Sequence, residues 1–280
     1  MIKITTDSTC DLPDALLQKN DITVVPLGIV KGEKLYQDGV NIHPADIAAH
    51  VDAGGDITTT TAVNAADYHD LFSRLLEKYD AVVHVNLGSK FSSCYQNARI
   101  AAAELPGVYI VDSANLTIGI GELALRAAAS APAGKSPTEI VEELEALRDR
   151  AEVSFVLERL DYMKKGGRCS AVTAIGANLL KLHPCVEVID GKMSVTKKYR
   201  GSMERVVMEY IHDRLDGRTD IDTERVWLVD SAFGPELADV AREVLRADGR
   251  FGELLESKAG CTIFSHCGQN TLGIGFFRKA

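Results

Sequence analysis

The sequence predicts an α/β protein that folds as two α/β domains. Its 280 residues are more than one small core usually holds. The first half alternates strand-like and helix-like segments, which is typical of a mostly parallel sheet with helices on both faces. The second half adds a hairpin signal at Asp190-Gly191, which indicates a mixed sheet with helices. We place the N-terminal domain at 1–155 and the C-terminal domain at 156–280.

The elements of the first half follow from their periodicity and their turn residues. Pro13 precedes one helical segment, and Asn64 is a suitable N-cap for another whose apolar side chains recur every 3.6 residues. The run 81–87 is almost wholly apolar, as in a strand buried on both faces. In order, we predict strand 2–6, helix 14–20, extended chain 22–30, a helix after Asn64, strand 81–87, a helix through Cys94 and Ala102, strand 108–111, helix 119–131 and helix 138–150.

The second half is predicted from a hairpin and from short apolar runs. Asp-Gly is a strong two-residue turn signal, so Asp190-Gly191 joins two strands. Pro235 suits the first position of a helix. In order, we predict helix 172–182, strand 184–189, strand 192–198, helix 204–215, strand 225–229, helix 235–247, and the closing strands 261–264 and 273–277.

Composition and charge limit the classes of partner. Hydrophobic residues make up 46% of the chain and charged residues 25%, which is ordinary for a soluble globular protein. The net charge of −9 argues against a nucleic-acid partner, because phosphate binding needs a basic surface. No apolar run reaches the roughly 18 residues of a membrane span, and the first residues lack a signal-peptide pattern. We expect a cytoplasmic protein.

The motifs for metals and nucleotides are incomplete. The six cysteines form neither a Cys-x-x-Cys pair nor a zinc spacing, so we expect reduced thiols. Ala133-Gly134-Lys135-Ser136 resembles the end of a P-loop, but no strand precedes it. Gly119 to Ala124 matches a dinucleotide motif loosely, yet it lies too far from its strand. We therefore predict no metal and no cofactor.

Three polar segments, far apart in the sequence, are candidates for one site. Thr58 to Thr61 and Ser92-Ser93 place hydroxyls before predicted helices. His266 is set in a glycine-rich loop between the two closing strands. Hydroxyls with one imidazole can hold a small anionic head group without an arginine or a metal. The pattern of hydroxyls and one imidazole indicates binding as readily as catalysis. A single histidine near an apolar strand is, however, more often a structural residue than a ligand-binding one.

Six further motifs occur in order along the whole chain. They are Thr6-Asp7-Ser8-Thr9, Phe91 to Ala98, Val111-Asp112-Ser113, Gly166-Gly167-Arg168, Arg200-Gly201 and His266-Cys267-Gly268. Each is weak alone, but the ordered set resembles the DegV family of bacterial fatty-acid-binding proteins. The resemblance implies two α/β domains with a long apolar tunnel. One long-chain fatty acid would lie in this tunnel, with its carboxylate at the domain junction.

The resemblance also implies which residues hold the carboxylate. Matched motif by motif, these are Thr60 and Ser92, with His266 close by and with Thr61 and Ser93 as neighbours. On this reading the protein is a lipid-binding carrier and not an enzyme by itself.

A partner follows from the same resemblance. Well-studied members of the family present the acid to a separate fatty acid kinase, which phosphorylates the carboxylate. Arg168 in the glycine-rich turn and Arg200 after the hairpin match family arginines. They are candidates for docking the kinase or for steadying the acyl phosphate.

This sequence departs from the family pattern in three places. The usual Thr-Ser-Gln-Pro is Thr60-Thr61-Ala62-Val63, the usual Ser-Gly-Thr is Ser92-Ser93-Cys94, and the usual His-x-Gly-Pro-Gly is His266-Cys267-Gly268-Gln269-Asn270. The first hydroxyl of each turn and the histidine are kept, so anion binding is still expected. The changes that leave the acyl-chain preference open are at Ser93, Cys94, Gln269 and Asn270.

Two alternatives stay open at the level of sequence. One is a small-molecule hydrolase or transferase with Ser92 or Ser93 as nucleophile and His266 as base. It needs a carboxylate that orients His266, and Asp7 or Asp112 could serve. The other is a regulatory interaction protein that docks a partner through its basic turns and holds the lipid as a structural plug.

Overall fold

The computed structural model describes residues 1–173 and 182–279. Within these ranges the chain forms two larger sheets, each packed against helices, and one small sheet. The predicted α/β class is confirmed. Most of the predicted helix 172–182 lies outside the described residues. None of the described helices is both long and apolar enough to cross a membrane.

Strands and helices alternate along most of the chain. The described strands are β1 (Ile2–Asp7), β2 (Ile22–Val25), β3 (Gly28–Lys31), β4 (Lys34–Gln37), β5 (Thr59–Thr61), β6 (Ala81–Asn86), β7 (Val108–Asp112), β8 (Ala151–Leu157), β9 (Leu182–Ile189), β10 (Lys192–Arg200), β11 (Arg225–Ser231), β12 (Glu253–Lys258) and β13 (Thr271–Phe277). The described helices are α1 (Asp14–Lys19), α2 (Pro44–Asp52), α3 (Ala65–Leu76), α4 (Cys94–Ala103), α5 (Ile118–Ser130), α6 (Pro137–Arg148), α7 (Asp161–Gly166), α8 (Ser170–Thr173), α9 (Met203–Leu215), α10 (Pro235–Asp248) and α11 (Cys261–Cys267), with a 3-10 turn at Ser8–Cys10.

The N-terminal sheet has the strand order β2-β1-β6-β7, and all its neighbouring strands are parallel. Every residue of β6 is buried, which requires cover on both faces of the sheet. The helix pairs α3–α4 and α5–α6 pack on this strand. Asn64 caps α3 as predicted, since its side chain accepts a hydrogen bond from the Asp67 amide at 2.8 Å. The carboxyl ends of the strands meet at one edge, where α/β proteins bind ligands.

The C-terminal sheet has the strand order β10-β9-β8-β13-β11-β12. Only β11 and β12 pair in parallel, and the other neighbours are antiparallel, which confirms the mixed sheet. The predicted hairpin at Asp190-Gly191 joins β9 to β10. Strand β8 begins at Ala151, so the domain boundary that we placed after residue 155 falls inside a strand of this sheet.

A small antiparallel sheet, ordered β4-β3-β5, stands beside the two larger ones. The segment 22–30, which we predicted as one extended run, is divided between β2 in the parallel sheet and β3 in this small sheet. The chain leaves the first sheet at Pro26, whose backbone lacks the N–H that a ladder requires. Thr60 in β5 pairs with Ile29 in β3.

The strand predicted at 261–264 is wrong, because these residues begin helix α11. His266 therefore lies in the last turn of a helix and not in a loop. The first amides of α11 find acceptors outside the helix: the Asp11 carboxylate accepts from Gly260 N at 2.8 Å, and Asp38 accepts from Cys261 N at 2.8 Å. Since these acceptors lie more than 200 positions earlier, the local apolar run contained no signal for them.

Candidate ligand-binding site

A cavity of about 160 Å³ is lined by residues from both halves of the chain. The N-terminal half contributes the carboxyl ends of β1 and β6 together with β5, and the C-terminal half contributes α11 and parts of β8 and β10. The structure brings most of the predicted site residues to this cavity, namely Thr60, Thr61, Ser92, Ser93, His266 and Arg168. Arg200 is exposed at the end of β10 and is not among the residues that line it.

Thr60 and His266 are joined by a hydrogen bond across the cavity wall. Thr60 Oγ1 lies 3.0 Å from His266 Nε2, although the two residues are 206 positions apart. Strand β5 presents the threonine, and the last turn of α11 presents the imidazole. Beside them, Thr58 Oγ1 and Ser265 Oγ form a second buried hydrogen bond of 2.7 Å. The two bonds fix α11 to the small sheet.

The His266 imidazole is neutral at pH 7. Burial lowers the pKa of His266 to about 4, and the positive charge of Arg168 acts in the same direction. Its Nδ1 is buried without a hydrogen-bond partner among the described residues. Nδ1 packs against Gly166, where an added Cβ would lie 2.0 Å away.

These contacts select one tautomer of His266. A proton on Nδ1 would be a buried donor without an acceptor, which is costly. We therefore infer that the proton is on Nε2, which donates to Thr60 Oγ1. The hydroxyl hydrogen of Thr60 is then available to a ligand.

Ser92 lies just before the N-cap of α4, Ser93, and lines the cavity. Its Oγ accepts from the Cys94 amide at 3.2 Å and donates to Cys94 Sγ at 3.2 Å. Burial raises the pKa of Cys94 to about 11, so the thiol is protonated at neutral pH. A thiol sulfur is a weak acceptor, and a carboxylate would displace it readily. The neighbouring Ser93 is exposed and lies where the cavity meets solvent.

Arg168 is exposed in the turn after α7 and contributes to the cavity wall. Its Nη1 donates to the Gly166 carbonyl at 2.8 Å, which folds the side chain back over the turn. The guanidinium therefore places a positive charge beside the polar part of the cavity.

The remaining walls of the cavity are mostly apolar. The side chains that form them are Leu27, Leu87, Phe91, Leu116, Phe155, Met163, Met193 and Ile263. A second cavity of about 30 Å³ shares Leu116, Phe155 and Ile263 with the first and reaches Val229 and Ile274 in the C-terminal sheet. The second cavity thus lies next to the first and is lined mainly by apolar side chains of the C-terminal half.

The geometry does not supply the carboxylate that a Ser92–His266 hydrolase needs. Asp7 is buried and accepts hydrogen bonds from Tyr68 Oη at 2.5 Å and from Leu87 N at 2.7 Å. Asp112 accepts from two backbone amides, both at 2.9 Å. Within the described part of the chain, neither carboxylate contacts His266. A base oriented as in a catalytic triad is therefore not formed by these residues.

Two residues at this site were not assigned a role from the sequence. Gly166 was interpreted only as part of a basic turn, yet it packs against His266. Thr9 lines the cavity, and in the sequence it stands out only as part of the Thr6-Asp7-Ser8-Thr9 motif. Its position just after the carboxyl end of a parallel strand was the available signal.

Comparisons with known proteins agree with this architecture. A model of the DegV family, described as uncharacterised proteins, matches residues 1–279. A DegV domain-containing protein from Clostridium acetobutylicum is 34% identical over 99% of both chains.

Two solved structures cover nearly the whole chain. A DegV family protein from Thermus thermophilus, described by its fatty acid binding, has a TM-score of 0.89 and 31% identity and covers 99% of each chain. A stearic acid-binding protein from Eubacterium ventriosum has a TM-score of 0.87 and 26% identity, covering 100% of this chain and 99% of the other. Both are described by what they bind and not by a reaction. The resemblance seen in the sequence is confirmed: the chain belongs to the DegV family.

Proposed function

We propose that this protein binds a long-chain fatty acid, such as palmitate, with its carboxylate held by Thr60 and Ser92 beside His266. The observation that carries the proposal is one cavity in which these three polar side chains, from three distant segments, meet walls that are mostly apolar. Thr61 and Ser93 are the neighbouring hydroxyls. Related DegV proteins described as fatty-acid-binding support the choice of ligand.

The physical chemistry of the cavity fits such a ligand. A carboxylate in an apolar cavity is costly unless several donors meet it. Each hydrogen bond to a charged acceptor contributes roughly 1.5–3 kcal/mol, whereas each buried CH₂ contributes about 0.8 kcal/mol. Over a long acyl chain the tail dominates the affinity, and the hydroxyls fix the orientation. A neutral His266 adds no full positive charge, so the imidazole itself forms no ion pair with the acid.

The ligand is tested by native mass spectrometry of the purified protein, followed by lipid extraction. We expect a co-purified acyl chain, and uptake of palmitate or oleate by delipidated protein. Thr60→Val and Ser92→Ala should each weaken palmitate binding by roughly 10- to 100-fold, the value of one charged hydrogen bond. A protein that carries no acyl chain and takes up neither acid would refute the proposal.

The same Ser92→Ala variant separates a carrier from a hydrolase. A carrier has no turnover against a panel of acyl esters before or after the substitution. An enzyme with Ser92 as nucleophile would turn over an ester, and Ser92→Ala would abolish that activity.

We further propose that the protein is a cytoplasmic carrier that presents the acid to a fatty acid kinase, which forms the acyl phosphate. The support is the exposed Arg168 beside the polar part of the cavity and the exposed Arg200 on β10. Arg200→Ala should lower acyl-phosphate formation in an assay with a fatty acid kinase and ATP, and should leave the palmitate Kd unchanged. Unchanged phosphorylation would remove Arg200 from the docking surface.

A further inference from the structure

We propose that Thr9 is an additional ligand-binding residue, whose hydroxyl donates to the carboxylate of the bound acid. The inference rests on the proposed function and adds a donor to it. Thr9 follows β1 in the 3-10 turn Ser8–Cys10 and lines the same cavity as Thr60 and Ser92.

The hydroxyl of Thr9 is unpaired within the part of the chain that the structure describes. The residue is 0% exposed, and its Oγ1 forms no hydrogen bond to any described residue. Folded proteins rarely leave a buried hydroxyl unsatisfied, because losing its hydrogen bonds to water is costly. Because Thr9 also lines the cavity, a ligand in the cavity is the partner that would satisfy this hydroxyl.

The contacts of Ser8 place Thr9 close to the small sheet. The preceding Ser8 Oγ accepts a hydrogen bond from Leu27 N at 3.1 Å. Leu27 leads directly into Gly28, which pairs with Thr61 in the small sheet. Thr9 is therefore held beside the strand that presents Thr60.

The acidic groups near Thr9 already have donors of their own. Asp7 accepts from Tyr68 Oη and Leu87 N. Asp38 accepts from Ser8 Oγ at 3.0 Å and from the first amides of α11. The bonds of Asp7 and Ser8 hold the two residues just before Thr9, so the turn that carries the hydroxyl is fixed before a ligand arrives.

A carboxylate can use this third donor. Its two oxygens offer about four acceptor sites, and Thr60 with Ser92 supply only two hydroxyl donors. Thr9 would provide another donor from a different segment, which restricts the rotation of the head group as well as its position.

The test is Thr9→Val, which keeps the shape and removes the hydroxyl. We expect two effects of opposite sign. Palmitate affinity, measured by calorimetry on delipidated protein, should fall roughly 10- to 100-fold. The melting temperature of the ligand-free protein should rise, because a buried hydroxyl without a partner is gone. A hydroxyl with a purely structural partner would instead give a lower melting temperature.

Two controls make the result specific. Thr9→Ser retains a hydroxyl and should bind palmitate within a fewfold of the wild type. Hexadecanol has the same tail without the carboxylate, so Thr9→Val should affect its binding far less than that of palmitate.

The outcomes separate this role from the proposed function. If the wild-type protein binds no palmitate, both fail. If the wild type binds and Thr9→Val binds equally tightly, or loses palmitate and hexadecanol to the same extent, only the role of Thr9 fails.

Discussion

The protonation state and the ring position of His266 are set by the residues around it. Burial lowers the pKa of His266, Nε2 forms a hydrogen bond with Thr60 Oγ1, and Gly166 packs against Nδ1. The sequence indicated this histidine through its glycine-rich setting. It could not indicate the contact with Gly166, because that contact joins distant segments and depends only on a missing Cβ.

The contact predicts the effect of Gly166→Ala. The new Cβ would lie 2.0 Å from Nδ1, so the ring must move out of its place. We expect the pKa of His266 to rise from about 4 towards its ordinary value near 6.5. Palmitate affinity should fall about tenfold, as Thr60 loses its partner. NMR titration of the histidine signals and calorimetry measure the two quantities.

Gly234→Ala is a matched control for this substitution. An added Cβ there meets nothing within 4 Å, and its φ of −58° suits any residue. Both the pKa of His266 and the palmitate Kd should then equal those of the wild type. A pKa that stays at about 4 in Gly166→Ala would show that the ring does not depend on the glycine.

Helix α11 is the element for which the predicted strand at 261–264 was wrong. Four apolar residues in a row fit a buried strand as well as a helix turn. The helix is selected by tertiary partners, because Asp38 and Asp11 accept the amide hydrogens at its start. Long periodic helices such as α3 needed no such partners and were predicted correctly.

The same helix start predicts how stability depends on pH. Burial raises the pKa of Asp11 to about 8 from an ordinary value of 3.8, and Asp38 nearby adds to the shift. Between these values the native protein keeps a proton that the unfolded chain has lost, so stability falls as pH rises towards 8. His266 acts in the opposite sense from pH 6.5 down to 4, since only the unfolded chain protonates there.

Above pH 6.5, therefore, His266 does not oppose the decrease in the free energy of unfolding with pH that Asp11 causes. We expect the free energy of unfolding in urea to fall by about 2 kcal/mol between pH 6.5 and 8, and Asp11→Asn to remove this fall. The amide keeps an acceptor for Gly260 N and resembles the protonated acid. Asp14→Asn, on the exposed helix α1, is the control and should retain the slope. A wild-type profile that is flat over this range would contradict the assignment.

On the scale of the whole molecule, the two halves share their cores. One cluster packs Ile29, Ile42 and Ile47 of the N-terminal half against Tyr162 and Phe264 of the C-terminal half. The core around the parallel sheet likewise includes side chains of the second sheet, namely Val153, Trp227 and Val229. From this shared packing we expect that the two sheets do not unfold as independent units.

This sharing predicts a single cooperative transition. Calorimetry of the delipidated protein should give one peak, with equal calorimetric and van't Hoff enthalpies. Palmitate at a hundred times its Kd should stabilise the protein by about 2.7 kcal/mol and move that one peak upwards. Two separate peaks, or a shift of only one of them, would show that the halves unfold independently.

Sequence patterns predicted both sheets, because alternation and hairpin turns are local signals. They also indicated Thr60, Ser92 and His266, which the structure brings to one cavity. They did not indicate the small sheet or the boundary of the second sheet at Ala151. Those features depend on where the chain passes from one sheet to another, and the hydrophobic periodicity of the sequence does not indicate that point.

The hydrogen bond between Thr60 and His266 has a consequence for the motion of the molecule. It joins a strand of the small sheet to the final turn of α11, so a movement that separates β5 from α11 parts these two atoms. The freed imidazole would meet water and regain its affinity for a proton. Opening and proton uptake are thus linked, and acidification favours the open form. The protonation state of His266 therefore depends on whether the cavity is closed or open.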